Sequence, residues 1–149
     1  EKLLKKGSNG IEFFTTQVLY DSKKTKKMLK HYDDICKKNH VLPRRILLSF
    51  APVSSKKNID FLKWLGVEMP LQTEKRLVNE DSNMTNESLK IATEILEDIL
   101  KNNEKNEIKV PIGLNVEHIM SYNFQHSINM LQELSKKYRK FCIKTSLYD

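Results

Sequence analysis

The chain has 149 residues, of which 39% are hydrophobic and 30% are charged, and its formal net charge is +7. This length predicts one domain that is large enough to bury a core. The sequence has neither a run of 18 apolar residues nor the apolar core of a signal peptide. It therefore predicts no membrane-spanning helix and a cytoplasmic or organellar-matrix location.

The positive charge has two interpretations. Of the 26 basic residues, 22 are Lys and only 4 are Arg, and the chain also has 12 Asn. A basic chain favours nucleic acid or another anionic partner. An AT-rich coding sequence would produce the same Lys and Asn excess, and Arg, the better ligand for phosphate, is scarce. We therefore do not expect nucleic-acid binding to be the main role, although the charge leaves it open.

The first half of the chain alternates between apolar runs and helical patterns. Residues 1–6 resemble the end of a helix that lacks its beginning, and the chain opens with Glu, so we expect the domain to extend upstream. A near-continuous apolar run predicts a buried parallel strand over residues 12–19, and a helix follows to about residue 38. The helix has an apolar stripe and a polar face with two i,i+4 pairs. The stripe is Met28, Leu29, Tyr32, Ile35 and Cys36, and the pairs are Asp33–Lys37 and Asp34–Lys38.

The second half repeats this plan twice. A strand is predicted over residues 45–50, then a short helix over 59–65 that Gly66 ends. The polar, irregular stretch over 71–84 is predicted to hold one helical turn or to form a long loop. A strong helix follows to about residue 101, a third strand over 108–116, and a last helix over 123–141. The predicted buried residues of the two long helices are Ala92, Ile95, Leu96, Ile99 and Leu100, and then Phe124, Ile128, Leu131, Leu134, Tyr138 and Phe141. Cys36 and Cys142 lack metal-type spacing and are predicted to be buried free thiols.

Alternation of strands and helices predicts a parallel sheet with right-handed crossovers. A complete (βα)₈ barrel needs roughly 250 residues. Three βα units after a helix end therefore predict the C-terminal portion of a TIM barrel, strands six to eight, with the N-terminal strands outside this chain. A free-standing flavodoxin-like domain is the weaker alternative, because no strand is followed by a Gly-rich phosphate loop.

Several segments resemble the methylenetetrahydrofolate reductase family, and most closely a divergent branch of it. Gly-Ile-Glu-Phe-Phe-Thr-Thr-Gln at residues 10–17, followed by Tyr20-Asp21, resembles the sixth strand of that family. Leu-Leu-Ser-Phe-Ala-Pro at 47–52 resembles the seventh strand, and the segment 61–70 resembles the helix after it. Gly-Leu-Asn-Val-Glu at 113–117 stands where the eighth strand belongs. These segments occur in the family's order along nearly the whole chain.

The resemblance implies a flavoprotein of one-carbon metabolism and methionine biosynthesis. In the family, FAD lies at the carboxyl ends of the barrel strands. Hydride passes from NAD(P)H to the flavin and then to 5,10-methylenetetrahydrofolate, which gives 5-methyltetrahydrofolate. The protein orients and tunes this chemistry, while the cofactor carries it out.

The resemblance also assigns site residues. The Gln of the family's Thr-Gln pair contacts the folate pterin, which implies that role for Gln17; the alternative is a structural Gln bonded to nearby loops. Basic residues before the sixth strand bind flavin phosphates, which implies that role for Lys5 and Lys6, although cations also suit a helix end. Better-known relatives have Leu-Asn-Arg in the eighth strand, where this chain has Val116. Asn115 and Glu117 are then the candidates for substrate contact, and a turn-forming role for Asn115 is an equal alternative.

The carboxylate that acts as general acid in the family, and most of its FAD contacts, come from strands that have no counterpart here. His31, His40, His118 and His126 are scattered, so this segment alone is not expected to be catalytic. The first hypothesis is the folate-binding part of a reductase, completed by the rest of the barrel, a partner chain or a homo-oligomer. The second is a non-catalytic, basic interaction module derived from that fold, within a larger assembly that contains RNA.

Overall fold

Six α-helices and three strands alternate along the part of the chain that the computed structural model describes, residues 2–79 and 83–145. The first elements are α1 (Lys2–Ser8), β1 (Phe13–Thr15), α2 (Lys23–Lys38) and β2 (Arg45–Phe50). They are followed by α3 (Lys56–Trp64), α4 (Leu71–Leu77) and α5 (Met84–Lys105). The last are β3 (Ile112–Val116), a 3₁₀ turn (Ser121–Asn123) and α6 (Phe124–Thr145).

The strands form a parallel sheet in the order β1-β2-β3. On one face of β2, Ile46, Leu48 and Phe50 are buried in the core beside the helices. Apart from the buried Ser49, the side chains on the other face are half-buried or exposed, and Phe13 retains 53% of its accessible surface. We call this second face the open face; the alternation of side chains along the strands assigns to it Phe13, Thr15, Arg45, Leu47, Ser49, Gly113 and Asn115.

The predicted fold class, the C-terminal portion of a TIM barrel, is wrong. The described residues form a small α/β domain whose sheet is open, and none of them supplies a strand that pairs with the outer edge of β1 or β3. The prediction failed because βα alternation is common to all parallel α/β folds, whereas closing a barrel takes many more strands. The flavodoxin-like alternative differs as well, because doubly wound sheets reverse their strand order and this sheet does not.

Local patterns predicted several elements well. The predicted bounds of the second strand match β2, and all five residues predicted to form the buried stripe of the helix before the third strand are buried in α5. Gly66 ends the α3 segment with φ of +82°, a conformation that favours glycine, and its N–H donates to the Lys63 carbonyl. Cys36 and Cys142 are both buried, as predicted. Within the described ranges, every helix is too short or too polar to cross a membrane.

The bounds of several other strands and helices differ from the predicted bounds. The first and third strands are shorter than predicted, covering 13–15 and 112–116. The stretch predicted to be irregular contains the two-turn helix α4, and its residues 80–82 lie outside the described part. The helix after it was predicted to be capped by Thr85 or Asn86, but its cap is Asn83, whose side chain accepts a hydrogen bond from the Asn86 N–H at 3.0 Å.

The buried face of α6 is rotated relative to the prediction. Phe124 and Leu131, which were predicted to be buried, are 57% and 42% exposed. Leu134 is buried as predicted, Met130 is buried although it was not in the predicted set, and the Tyr138 hydroxyl donates to the Ile112 carbonyl of β3 at 2.7 Å. Consecutive helical positions differ by about 100° around the axis, so the apolar pattern alone was compatible with both orientations.

Three carboxylates of α5 join the other helices to it. Glu94 accepts from Arg76 at 2.7 Å, Glu97 from Lys137 at 2.9 Å, and Asp98 from Lys26 at 2.6 Å. These hydrogen bonds lower the pKa values of all three carboxyl groups, with Ser22 adding a second bond to Asp98. The side chains are between 38% and 58% exposed, so each pair contributes only modestly.

Lowering the pH from 5 to 3 should therefore destabilise the fold. A carboxyl group with a lowered pKa in the folded state stabilises the fold above its unfolded pKa, and this contribution disappears as the pH falls through the folded value. We expect the three pairs together to contribute about 1 kcal/mol at pH 7, as screened surface pairs do. Urea unfolding of wild type and of a Glu94→Gln, Glu97→Gln, Asp98→Asn variant measures this. If both proteins lose the same stability between pH 5 and pH 3, the three pairs do not cause the loss. Asp60→Asn, which removes an exposed carboxylate outside these pairs, is the control.

Candidate functional site

A row of hydrogen bonds crosses the sheet near its carboxyl edge. The Ser49 N–H of β2 donates to Thr16 Oγ1 at 3.0 Å, and Asn115 Nδ2 of β3 donates to Ser49 Oγ at 3.1 Å. Ser49 is completely buried, and it pairs with Asn115 in the sheet register. The carboxyl ends of all three strands are thus linked by side chains as well as by the backbone.

The end of β1 contains a bulge. Thr16 N–H donates to the Leu47 carbonyl at 2.9 Å, as expected from the register. In a regular parallel ladder, the Val18 N–H would donate the next hydrogen bond to the Ser49 carbonyl. Here the Leu19 N–H donates to that carbonyl instead, at 2.9 Å. One extra residue is therefore inserted, and the Thr16 hydroxyl accepts from Ser49 where a backbone carbonyl would otherwise do so. Such bulges redirect side chains at sheet edges.

The bulge presents the Gln17 side chain to solvent. Its Nε2 donates to the Leu65 carbonyl at 3.4 Å, and its Oε1 accepts from the Val18 N–H at 3.3 Å. Both distances are at the long end for hydrogen bonds, so the amide can exchange these partners at small cost. The Gln17 side chain is therefore neither buried nor tightly hydrogen-bonded, as a structural glutamine would be.

Asn115 and Glu117 project from the same face of β3, because side chains alternate along a strand. Both are half-buried, and the Glu117 N–H extends the ladder by donating to the Phe50 carbonyl at 2.8 Å. Val116 points the other way and packs against the core. Gln17 lies about 10 Å from this pair, the distance of two strand spacings.

Lys5 and Lys6 lie apart from these three residues. They occupy the last turn of α1, which also contains the buried Gly7 beside the Arg44 side chain. Arg44 directly precedes β2, so the two lysines lie toward the amino edge of the sheet. The structure brings Gln17, Asn115 and Glu117 to one edge and leaves the two lysines near the other.

A cavity of about 320 Å³ lies beside the outer edge of β1, between α1 and α2. Its lining is mostly apolar, and its polar members include Thr16, Gln17 and Lys24. Small-molecule sites typically combine an apolar wall of this size with a few placed polar groups. Gln17 therefore borders a space that is suited to a small ligand.

A buried polar network holds α3 and the 3₁₀ turn over the carboxyl ends of β2 and β3. Asn58 Oδ1 accepts from Asn123 Nδ2 at 3.1 Å, and Asn58 Nδ2 donates to the Tyr122 hydroxyl at 2.6 Å. Ser54 Oγ donates to Asn123 Oδ1 at 2.6 Å, and Asn123 Nδ2 also contacts the Pro52 carbonyl at 3.4 Å. Asn58 was not predicted as a site residue; its position three residues after Ser55, the spacing of a capping box, was the available sequence signal.

Exposed aromatic rings surround the same edge. Trp64 is 78% exposed and stacks on Phe61 with ring centroids 5.8 Å apart and planes 23° apart. Tyr122 is 59% exposed, and Phe124 contacts His118 edge to face at 5.2 Å. Sequence analysis did not identify these rings as site residues, since their exposure depends on how α3 and α6 pack.

Ionisable groups at this edge serve the fold. The Tyr20 hydroxyl, which donates to the Ala51 carbonyl at 3.1 Å, is buried, and burial raises its pKa above the usual value. Within residues 2–79 and 83–145, no group of three or more His, Cys, Asp or Glu side chains is arranged to hold a metal ion. The polar groups near this edge that a ligand could contact include the Gln17 and Asn115 amides and the Glu117 carboxylate.

Comparisons with known proteins give a match in structure. No family model and no curated protein matches the chain. Among solved structures, an uncharacterized protein from Clostridium thermocellum, which binds two copies of 5-methyl-5,6,7,8-tetrahydrofolic acid, matches with a TM-score of 0.74 and 22% sequence identity. The match covers 89% of this chain but 46% of that protein, so the chain spans about half its length. At this identity the similarity is one of fold.

Proposed function

We propose that this chain binds a reduced folate at the carboxyl edge of its sheet. The observation that carries the proposal is the fold similarity, over 89% of the chain, to a protein that binds 5-methyltetrahydrofolate. Residues 10–17, which resemble the pterin-binding segment of a folate enzyme family, form β1 and the bulge that exposes Gln17. Fold alone does not determine function, so the proposal depends on the chemistry of this edge.

The three candidate residues suit different parts of a folate. The pterin ring carries neighbouring donors and acceptors on one edge, and the Gln17 amide offers one of each. Asn115 and Glu117 are about 10 Å away, which places them beyond the group that Gln17 binds. We assign the pterin edge to Gln17 and the adjoining part of the ligand to Asn115 and Glu117.

Reductase activity is the finer form of this proposal, and only the resemblance supports it. FAD would be the cofactor and NAD(P)H the reductant. The fit is poor here, because Lys5 and Lys6 lie toward the amino edge and the substrate candidates at the carboxyl edge. We therefore derive no hydride-transfer step; a flavin absorption spectrum from the purified protein would favour that finer form, with the remaining contacts supplied by a partner chain.

The interaction-module alternative is less well supported by the charge distribution. Lys24, Lys26, Lys30, Lys37 and Lys63 each pair with a carboxylate, as do several lysines of α5 and α6. Paired lysines on helix surfaces give a weaker attraction for phosphate than an uncompensated patch does. Salt-sensitive binding to RNA, without folate binding, would favour the alternative.

Gln17→Ala should weaken the binding of 5-methyltetrahydrofolate about tenfold, the effect of losing one well-placed pair of amide hydrogen bonds. Isothermal titration calorimetry measures the dissociation constants of wild type and variant. Gln125→Ala, which removes an exposed amide from α6, is the matched control and should bind as wild type does. If wild type shows no binding at millimolar ligand, the proposed function is wrong.

A further inference from the structure

Trp64 is a large, mostly apolar side chain that is exposed to solvent at the candidate site. It is the single tryptophan of the chain, and it leaves 78% of its surface in solvent although indole is mostly apolar. Its ring is stacked on the half-buried Phe61, with centroids 5.8 Å apart. One face of the indole is thus supported by Phe61, which limits the orientations that the ring adopts.

The carboxyl-terminal end of α3, where Trp64 lies, is next to Gln17. The first turn of α3 is tied to the 3₁₀ turn beyond β3, because Asn58 donates to the Tyr122 hydroxyl at 2.6 Å. The other end of α3 reaches the bulge after β1, where the Leu65 carbonyl accepts from Gln17 Nε2. The helix therefore crosses above all three strand ends, and Trp64 directly precedes the residue that Gln17 contacts.

A flat heteroaromatic ring is bound best when its edge and its face are both engaged. Gln17 supplies a donor and an acceptor for the edge, and an adjacent indole supplies a stacking surface for the face. Tyr122 and Phe124 are also exposed, but they lie at the β3 side of the edge, away from Gln17. Trp64 is therefore the aromatic side chain that the geometry associates with the Gln17 amide.

We propose that Trp64, supported by Phe61, stacks on the pterin ring whose edge Gln17 binds. This inference rests on the proposed folate function and adds a binding residue to it. Stacking of a nucleobase-sized ring on an aromatic side chain typically strengthens binding at least several-fold. The ring preference of the site then comes from Trp64, and its hydrogen-bonding preference comes from Gln17.

The test titrates wild-type protein with 5-methyltetrahydrofolate while tryptophan emission is recorded. We expect emission to change with the dissociation constant that calorimetry gives. Trp64→Ala should weaken binding about tenfold, whereas Trp64→Phe, which keeps a stacking ring, should lose about threefold or less. Leu42→Ala removes another exposed apolar side chain, 90% exposed before β2, and is the matched control. Circular dichroism confirms that each variant is folded.

The outcomes separate the two proposals. If wild type binds folate but Trp64→Ala binds equally well and emission does not change, the stacking role is wrong and the folate function stands. If wild type does not bind 5-methyltetrahydrofolate, the folate function is wrong, and the stacking role is wrong as well. If wild type is a dimer that Trp64→Ala converts to a monomer, Trp64 is covered by a second copy and the stacking role is overturned.

Discussion

Replacing Asn58 by alanine should lower the free energy of unfolding by about 3 kcal/mol, because a buried network loses its central acceptor. Asn58 is 3% exposed, and its Oδ1 accepts hydrogen bonds from the N–H groups of Ser54 at 3.0 Å and Ser55 at 3.2 Å, as well as from Asn123. Alanine leaves these donors without an acceptor where water has little access, and each unsatisfied group costs about 1–3 kcal/mol. Urea unfolding followed by circular dichroism measures the loss.

Two further variants define the cause. Asn129→Ala removes an exposed Asn from α6 and should change the free energy of unfolding by no more than about 0.5 kcal/mol. Asn58→Asp keeps the acceptor oxygen but loses the donor to the Tyr122 hydroxyl, so its effect should lie between those of Asn129→Ala and Asn58→Ala. A loss below about 1 kcal/mol for Asn58→Ala would show that the network does not anchor α3.

Asp33→Ala should cost about 2–3 kcal/mol, the second-largest effect we expect. Asp33 was predicted to lie on the solvated face of α2, but it is 1% exposed, and its Oδ1 accepts from the Lys109 N–H at 2.9 Å. Its Oδ2 forms an ion pair with Lys37 Nζ at 2.6 Å, and this interaction raises the pKa of Lys37. The carboxylate therefore anchors α2 to the segment that leads into β3. Thermal or urea unfolding measures the change.

Asp33→Asn retains an oxygen for the Lys109 N–H, so it should lose much less stability than Asp33→Ala. Lys37→Ala removes the exposed partner and should also have a small effect, because the Lys37 side chain is 53% exposed. If Asp33→Asn and Asp33→Ala are equally destabilised, the negative charge matters more than the bond to Lys109, contrary to this interpretation. The predicted Asp33–Lys37 pair is thus confirmed, whereas Asp34 pairs with Lys30 at 2.6 Å rather than with Lys38.

The candidate site combines residues that the sequence indicated with residues that it did not. Gln17, Asn115 and Glu117 were predicted from the resemblance to a folate enzyme family, and parallel pairing places the ends of their strands at one edge. Their role in binding stays a prediction. Trp64 gave no sequence signal, because its neighbour Leu65 meets Gln17 across 48 positions of the chain. The Asn58–Asn123 contact spans 65 positions and was equally inaccessible.

The sequence by itself determined the type and order of the elements, because hydrophobic periodicity and turn residues act within a few positions along the chain. The bounds of β2 and the buried stripe of α5 follow from such local patterns. The tertiary structure alone decided the open sheet, the exposure of Phe124 and the burial of Asp33. Each of these depends on which distant segment packs against a surface, and the bulge that exposes Gln17 depends on a hydroxyl of β1 meeting the backbone of β2.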